Sequence, residues 1–400
     1  MTQASETFAT SERSVEPPDF GFGADEALLR EQARKLLVEC ASTAALRKLV
    51  GADPEAVYRR GELPAYDEQA WKRCIELGWT SLAVPEECGG IGAKAVGVAA
   101  LVEEVGRHAF PSPLLATLAS TYVLRSAASP EAKRWLSAIA EGTTMSLALS
   151  GELGFWELDQ TDVIAEQRGS KIVLSGGAFF VQDASKVDAF LVAARAPRGI
   201  CLVALRKNTP GLSIERDHIL DLTRDQGHLA LDGVEVREAD LIAPPPAGHE
   251  VLQRAWPAVL MLASADLVGV SEWLLQTTVA YAKVRKQFDR TIGFFQAVKH
   301  PLVNAMIDID LARSLLYRAA CTLDVDTHRA EVPARMAKSA ASDAAAFVAG
   351  RAVQLHGGIG FTWECDVHFY FKRARHGQTL YGDGVHQREK LARLLIDKVD

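Results

Sequence analysis

Two stretches in the last third of the chain carry residue types that grip a large anionic ligand: Arg285-Lys-Gln-Phe-Asp289 and Gln354-Leu-His-Gly-Gly-Ile-Gly-Phe-Thr362. The first ends a long apolar helix on a cationic, donor-rich tip, and a guanidinium fork matches phosphate oxygens with paired hydrogen bonds. The second ends another helix on a glycine cluster. Gly357, Gly358 and Gly360 admit positive φ and leave backbone N–H groups with no Cβ beside them, so a bulky ligand can approach. Gln354, one turn earlier, can direct an amide at the same ligand. Each stretch alone reads better as an exposed arginine or a glycine helix cap. Together they suit a phosphate- or pyrophosphate-bearing cofactor.

The run Tyr281-Ala-Lys-Val-Arg-Lys-Gln-Phe-Asp-Arg-Thr-Ile-Gly-Phe-Phe-Gln-Ala-Val-Lys-His300, with Gln354-Leu-His-Gly-Gly-Ile-Gly after it, resembles the acyl-CoA dehydrogenase family. It matches that family's Y-A-x-x-R-x-Q-F-G-x-x-I-x-x-F-Q-x-V-x-H pattern, except that Asp289 stands in place of the glycine. Two further stretches resemble the family's V-P-E-E-x-G-G loop and E-E-x-G helix: Val84-Pro-Glu-Glu-Cys-Gly-Gly90 and Glu103-Glu-Val-Gly106. The resemblance runs from about Asp25 to Leu395. It implies FAD as cofactor, an acyl-CoA thioester as substrate and electron-transfer flavoprotein as acceptor. It also implies that Arg285, Phe288, Gln354, Gly357 and Gly358 reach the FAD of a neighbouring subunit, so the chain is expected to assemble as a homodimer, homotetramer or heterotetramer.

The family reaction removes a proton beside the thioester carbonyl and passes a hydride from the next carbon to flavin, so a carboxylate must lie within reach of that proton. In most members it is the glutamate of a Y-E-G-T stretch. Aligned through Arg388-Glu-Lys-Leu-Ala392, that position holds Tyr381, and a phenol titrating near pH 10 is a poor base. The alternative position, on the helix leading to Arg285, holds Val259. Two acids remain as candidate bases. Asp383 follows in a Gly-Asp-Gly turn, where it reads more readily as a helix N-cap, and Asp266 lies two turns beyond Val259 on one helix face, where it reads more readily as a polar interface residue. The family's own-flavin cradle is eroded. Of T-E-P-x-x-G-S-D only an outline survives in Ala148-Leu-Ser-Gly-Glu-Leu-Gly154, with Ser150 as a possible hydroxyl donor. Phe180 takes the place of the tryptophan that lies against the isoalloxazine, and the Thr and Asn after it become Gln182 and Asp183.

The elements that must position these groups fall into three blocks. Residues 25–145 carry helical periodicity, as in Ala27-Leu-Leu-Arg-Glu-Gln-Ala-Arg-Lys-Leu-Leu-Val38, with Asp67 expected to cap a helix running to Leu77. Residues 146–250 carry short β-branched or alternating runs (171–175, 189–193, 200–205 and 228–236) broken by turn residues, which predicts a small β barrel or sandwich. Residues 251–400 return to long helices: Pro257 is placed at a helix start, Pro333 at another, and Val298, Leu302, Ala305, Ile309, Ala312 and Leu316 form the seam of a four-helix bundle. The predicted fold is thus α+β and multi-domain. Residues 1–24, rich in Ser, Thr, Glu and Pro, read as a disordered lead-in and not a signal peptide.

A net charge of −7 with no long basic run argues against a nucleic-acid footprint, and no unbroken apolar stretch nears the ~20 residues of a membrane span. Six scattered cysteines without C-x-x-C spacing read as reduced thiols, with no metal site, which makes a cytoplasmic location the expectation. Three functions follow: a flavin-dependent acyl-CoA dehydrogenase with a displaced base, a non-autonomous subunit completing a partner's FAD site, or a flavin monooxygenase or oxidase on the same fold. The substrate class ranges over fatty-acyl and steroid side-chain thioesters.

Overall fold

Residues 18–50 and 66–396 are described by the structure, a computed structural model. Most of the lead-in lies outside the described residues. Its end forms a 3-10 turn, Pro18–Gly21, beyond which Phe22 packs edge-on against Tyr317 at 5.5 Å between ring centroids. Among the described residues six helices follow: α1 (Ala24–Cys40), α2 (Thr43–Val50), α3 (Glu68–Glu76), α4 (Ala95–Arg107), α5 (Leu114–Arg125) and α6 (Pro130–Ala140). Asp67 caps α3 as its type predicts, its carboxylate accepting the N–H groups of Gln69 and Ala70 at 3.0 Å each. The Val84–Gly92 loop closes on its own backbone, with Gly92 N–H on the Val84 carbonyl at 2.8 Å, and serves as a helix connector.

The second block is one mixed sheet of eight strands: β1 (Met145–Ala148), β2 (Ile164–Arg168), β3 (Lys171–Gln182), β4 (Ala189–Ala196), β5 (Gly199–Arg206), β6 (Leu212–Arg216), β7 (Gln226–Arg237) and β8 (Leu241–Ala243). The order is β6-β7-β3-β2-β4-β5-β8, with β1 also paired to β4; β1 and β2 run parallel to β4 and the other ladders are antiparallel. Strand alternation on β4 sends Phe190, Val192 and Ala194 into the sheet's own core and Ala189, Leu191 and Ala193 into the helical core. Burial on both faces explains why this strand reads as a continuous apolar run.

The third block contains α7 (Ala247–Val284), α8 (Gln296–Val325), α9 (Glu331–His356), α10 (Val367–Thr379) and a short α11 (Gly384–Leu395). The sequence expectation for Pro257 is corrected: α7 starts ten residues earlier, directly after Pro244-Pro-Pro246, and runs through Pro257. A proline inside a helix loses its own hydrogen bond, but here the surrounding turns are buried and tertiary packing holds the helix together. By length and composition α7 could cross a membrane, yet 89% of its most apolar window is buried inside the chain itself, which makes it the core helix of the bundle. The predicted α8 seam is buried from Leu302 through Leu316. Helices α4 and α7 cross at two glycines: a Cβ on Gly106 would lie 2.2 Å from the Asp266 carbonyl, and one on Gly269 2.0 Å from that of Glu103. Backbone meets backbone there, and only glycine fits.

Candidate functional site

The two motifs of the bundle meet at one end of it. Tyr281, on the last turn of α7, stacks on His356, the last residue of α9, at 4.3 Å between centroids. This contact brings Arg285 and the glycine cluster together. Beyond Arg285 the chain makes a two-residue hairpin, Lys286–Gln287 against Arg290–Thr291. Its turn residues, Phe288 and Asp289, have φ of +53° and +60°, the left-handed pair that a tight hairpin requires. Residues 283–290 are all exposed, and Phe288 is 86% exposed. Gln354, Gly357 and Gly358 are exposed as well. Gly357 has a φ of +66° and ends α9 by donating its N–H to the Gln354 carbonyl. A Cβ added to Gly357 or Gly358 would meet nothing within 4 Å, so no internal contact excludes a side chain and the open space lies outside the chain. Arg285 makes no ion pair with any described residue. This surface presents a guanidinium without an ion pair beside glycines with open space around them.

The chain's own cleft, between the sheet and α10, is narrow. A cavity of about 190 Å³ remains, walled by Gly154, Trp156, Phe180 and Gln226 on the sheet side and by His376, Thr379 and Leu380 on the other. That is below the ~300–1,000 Å³ of ordinary small-molecule sites. Phe180, at φ +57° in a bulge of β3, turns its ring onto Gly154. Trp156 lies 6.5 Å from Phe180 and 5.2 Å from Tyr381, ring centre to ring centre, and Trp256 of α7 packs on Tyr381 from behind at 5.4 Å. The Ser150 hydroxyl is buried and donates to the Gly151 and Phe155 carbonyls, both at 3.2 Å, so it stabilises its own loop. Gln182 hydrogen-bonds His376 at 2.8 Å, Gln226 at 3.0 Å and the Phe180 carbonyl at 3.1 Å. Burial, with Arg224 and Arg373 nearby, lowers the His376 pKa to about 4, so the ring is neutral. Asp183 is buried beside Lys186, and burial pushes it up to about 6. These residues do not fit a flavin held by this chain alone.

The candidate bases are occupied in other ways. Asp266 is buried, with one carboxylate oxygen 2.6 Å from Arg224 and the other 2.6 Å from Arg373. Burial alone would raise its pKa, but the two guanidiniums outweigh it and hold the group below the usual carboxylate range. An acid so paired is a weak base. Asp383 is the N-cap of α11, accepting the His386 N–H at 2.9 Å. Tyr381 is buried at φ +60°, and burial pushes its phenol further up, away from basic behaviour at neutral pH. Val259 is fully buried in α7.

Sequence reasoning missed several residues in and behind the cleft. Trp156 and Trp256 are single aromatics with no periodicity to mark them. Arg224 and Arg373 are charged residues buried by tertiary contact, which spacing does not reveal. Lys338 of α9 was also missed. Fully buried, it donates to Ser342 Oγ at 2.8 Å, the Gln378 carbonyl at 3.0 Å and the Gly382 carbonyl at 2.9 Å, pinning the loop that carries Tyr381. Gln387 holds the same loop from α11 through the Tyr381 carbonyl at 2.8 Å.

Comparison with known proteins follows the same outline. Residues 25–143 match the family profile "Acyl-CoA dehydrogenase, N-terminal domain", and residues 259–396 match "Acyl-CoA dehydrogenase, C-terminal domain". Acyl-CoA dehydrogenase IpdE2 of Mycobacterium tuberculosis is 32% identical over 354 residues, covering 88% of this chain and 91% of its own. The ChsE4-ChsE5 complex from Mycobacterium tuberculosis contains a chain superposing with a TM-score of 0.84 at 26% identity, over 96% of this chain and 100% of that one. A steroid acyl-CoA dehydrogenase described as Tcur3481-Tcur3483 superposes with a TM-score of 0.81 at 28% identity, over 93% and 98%. By sequence over most of its length and by fold, the chain belongs to the acyl-CoA dehydrogenase family.

Proposed function

We propose that this chain is a subunit of a heteromeric acyl-CoA dehydrogenase, completing the FAD site of a homologous chain that bears the catalytic glutamate. The carrying observation is the contrast between a narrow cleft of about 190 Å³ and the open motif at the bundle end. Arg285 would neutralise and orient the partner's flavin pyrophosphate with a charge-assisted fork. Gln354 and the backbone of Gly357 and Gly358 would add neutral donors, and the exposed Phe288 would cover the cofactor from water. A FAD held in this way by the pair would supply the hydride acceptor for the thioester substrate. Tyr381, Asp266 and Asp383 are assigned structural roles, and the base belongs to the partner. The resemblance to a steroid enzyme of two named components supports a bulky acyl-CoA, such as a steroid side-chain thioester, as substrate.

Anaerobic flavin reduction by a panel of fatty-acyl and steroid side-chain CoA thioesters tests this reading. The chain alone reduces none of them, and mixing with a glutamate-bearing homologue restores reduction. Thioester-driven reduction by the isolated chain would return the base to this chain, with Asp383 the first residue to replace.

A further inference from the structure

A second cavity lies on the face of the sheet turned away from the helices. Along β5, Ile200 and Leu202 enter the helical core, while Cys201 between them faces the sheet's own core. The cavity opens onto that second core, between β2 and β3 on one side and β5 and β8 on the other. Its floor is Ala165, Ile172, Cys201 and Leu241, all buried and all part of the sheet's core. Its volume is about 390 Å³, against about 190 Å³ for the cleft, and falls within the ~300–1,000 Å³ of ordinary small-molecule sites. The cavity shares no residue with the cleft or with the bundle end.

The rim carries two opposite charges that do not pair with each other. Arg198 sits in the two-residue turn Pro197–Arg198, which closes the Ala196–Gly199 pair of the β4–β5 hairpin. That turn is seated on the segment before α7, since a Cβ on Gly199 would lie 3.0 Å from the Pro246 Cβ. Glu238 opens the 3-10 turn Glu238–Asp240 that leads into β8, and β8 is itself paired to β5. Both side chains are exposed, both line the cavity, and neither forms an ion pair with a described residue. The neighbouring Arg237 is paired with Asp240 at 2.6 Å and leaves Glu238 unneutralised. On the same rim, Gln167 donates from Nε2 to the Gly169 carbonyl at 2.9 Å, and its Oε1 remains an open acceptor.

A rim with one charge of each sign favours neither a simple anion nor a simple cation, because either would meet a like charge. A ligand bearing both charges on neighbouring atoms, above an apolar body, satisfies rim and floor together. We propose that this cavity binds a free α-amino acid with a branched aliphatic side chain, such as leucine. The ligand's carboxylate takes the Arg198 fork, and its ammonium donates to Glu238 and to Gln167 Oε1. Its side chain covers the Ala165, Ile172 and Leu241 floor, and burial of that apolar surface drives the binding. The site is independent of flavin chemistry, because the sheet stands between it and the bundle.

Isothermal titration of the purified full chain with L-leucine tests the inference, and one site per chain is expected. Isocaproate, which lacks the ammonium, and isoamylamine, which lacks the carboxylate, each bind at least about tenfold more weakly, the loss of one charge-assisted contact. Arg198→Gln and Glu238→Gln change exposed positions, so circular dichroism and Tm stay as in wild type, while each weakens leucine binding by at least about tenfold. Ala196→Phe, at the half-buried rim, fills the mouth and abolishes binding. A wild-type chain that takes up no leucine at concentrations up to about 10 mM would overturn the inference. So would isocaproate or isoamylamine binding as tightly as leucine, or charge variants that bind leucine like wild type.

Discussion

The bundle end and the sheet–bundle cleft are the two regions where the sequence places its candidate flavin contacts, and they differ in how those residues are held. At the bundle end, Arg285, Gln354, Gly357 and Gly358 are exposed; Gly357 caps α9, and none of the four packs a side chain into the interior. In the cleft, each corresponding position has been absorbed into packing: Tyr381 between two tryptophans, Gln182 on His376, Ser150 on its own loop. A residue kept without an internal partner needs an external one. A residue that packs can be retained for stability alone. The two regions therefore respond differently to mutation, one through stability and the other through binding.

The largest effect is expected in the cleft. Asp266→Ala removes the acid from a buried triad and leaves Arg224 and Arg373 facing each other without compensation, which costs about 3–5 kcal/mol of unfolding free energy. Urea denaturation measures it, and a loss below about 1 kcal/mol would mean that the cleft is not core. A second test uses pH. Burial lowers Lys338 from 10.5 to about 7, opposed by Asp383 and Asp343. Between those values the unfolded chain holds a proton that the folded chain has lost, so this residue makes stability rise with pH from about 7 to about 10.5. Lys338→Met removes that part of the slope; equal slopes in the two proteins would place Lys338 in water. The smallest effect on stability, within about 0.5 kcal/mol, is expected for the exposed Arg285→Ala, which instead weakens flavin retention in the mixed complex by about tenfold to a hundredfold. Unchanged flavin affinity would show that the bundle end has no cofactor role.

Much of this contrast was legible in the sequence, because motif loss and motif retention are local. The missing glutamate at Tyr381, the missing Gly-Ser-Asp after Ser150 and the Arg285 run, kept but for Asp289, are read directly along the chain. The order of helices, strands and helices followed from period, and the α8 seam and the Asp67 cap came out as the spacing requires. What fills the cleft was not legible. Asp266 was placed correctly on the Val259 face of α7, but its partners lie 42 residues before it and 107 after it. No pattern within one element encodes a pairing of that span. Pro257 misled for a related reason: proline marks a helix start only where packing does not override it, and α7 is buried along most of its length.

The central claim, that this chain lends its bundle end to another chain's flavin and holds none of its own, is tested most directly by flavin content. The chain is purified alone and again after co-expression with a glutamate-bearing homologue, and FAD is quantified from its visible absorption after release. The account predicts a colourless protein alone and one FAD per heterodimer in the complex. A yellow isolated chain with one FAD per subunit would contradict it.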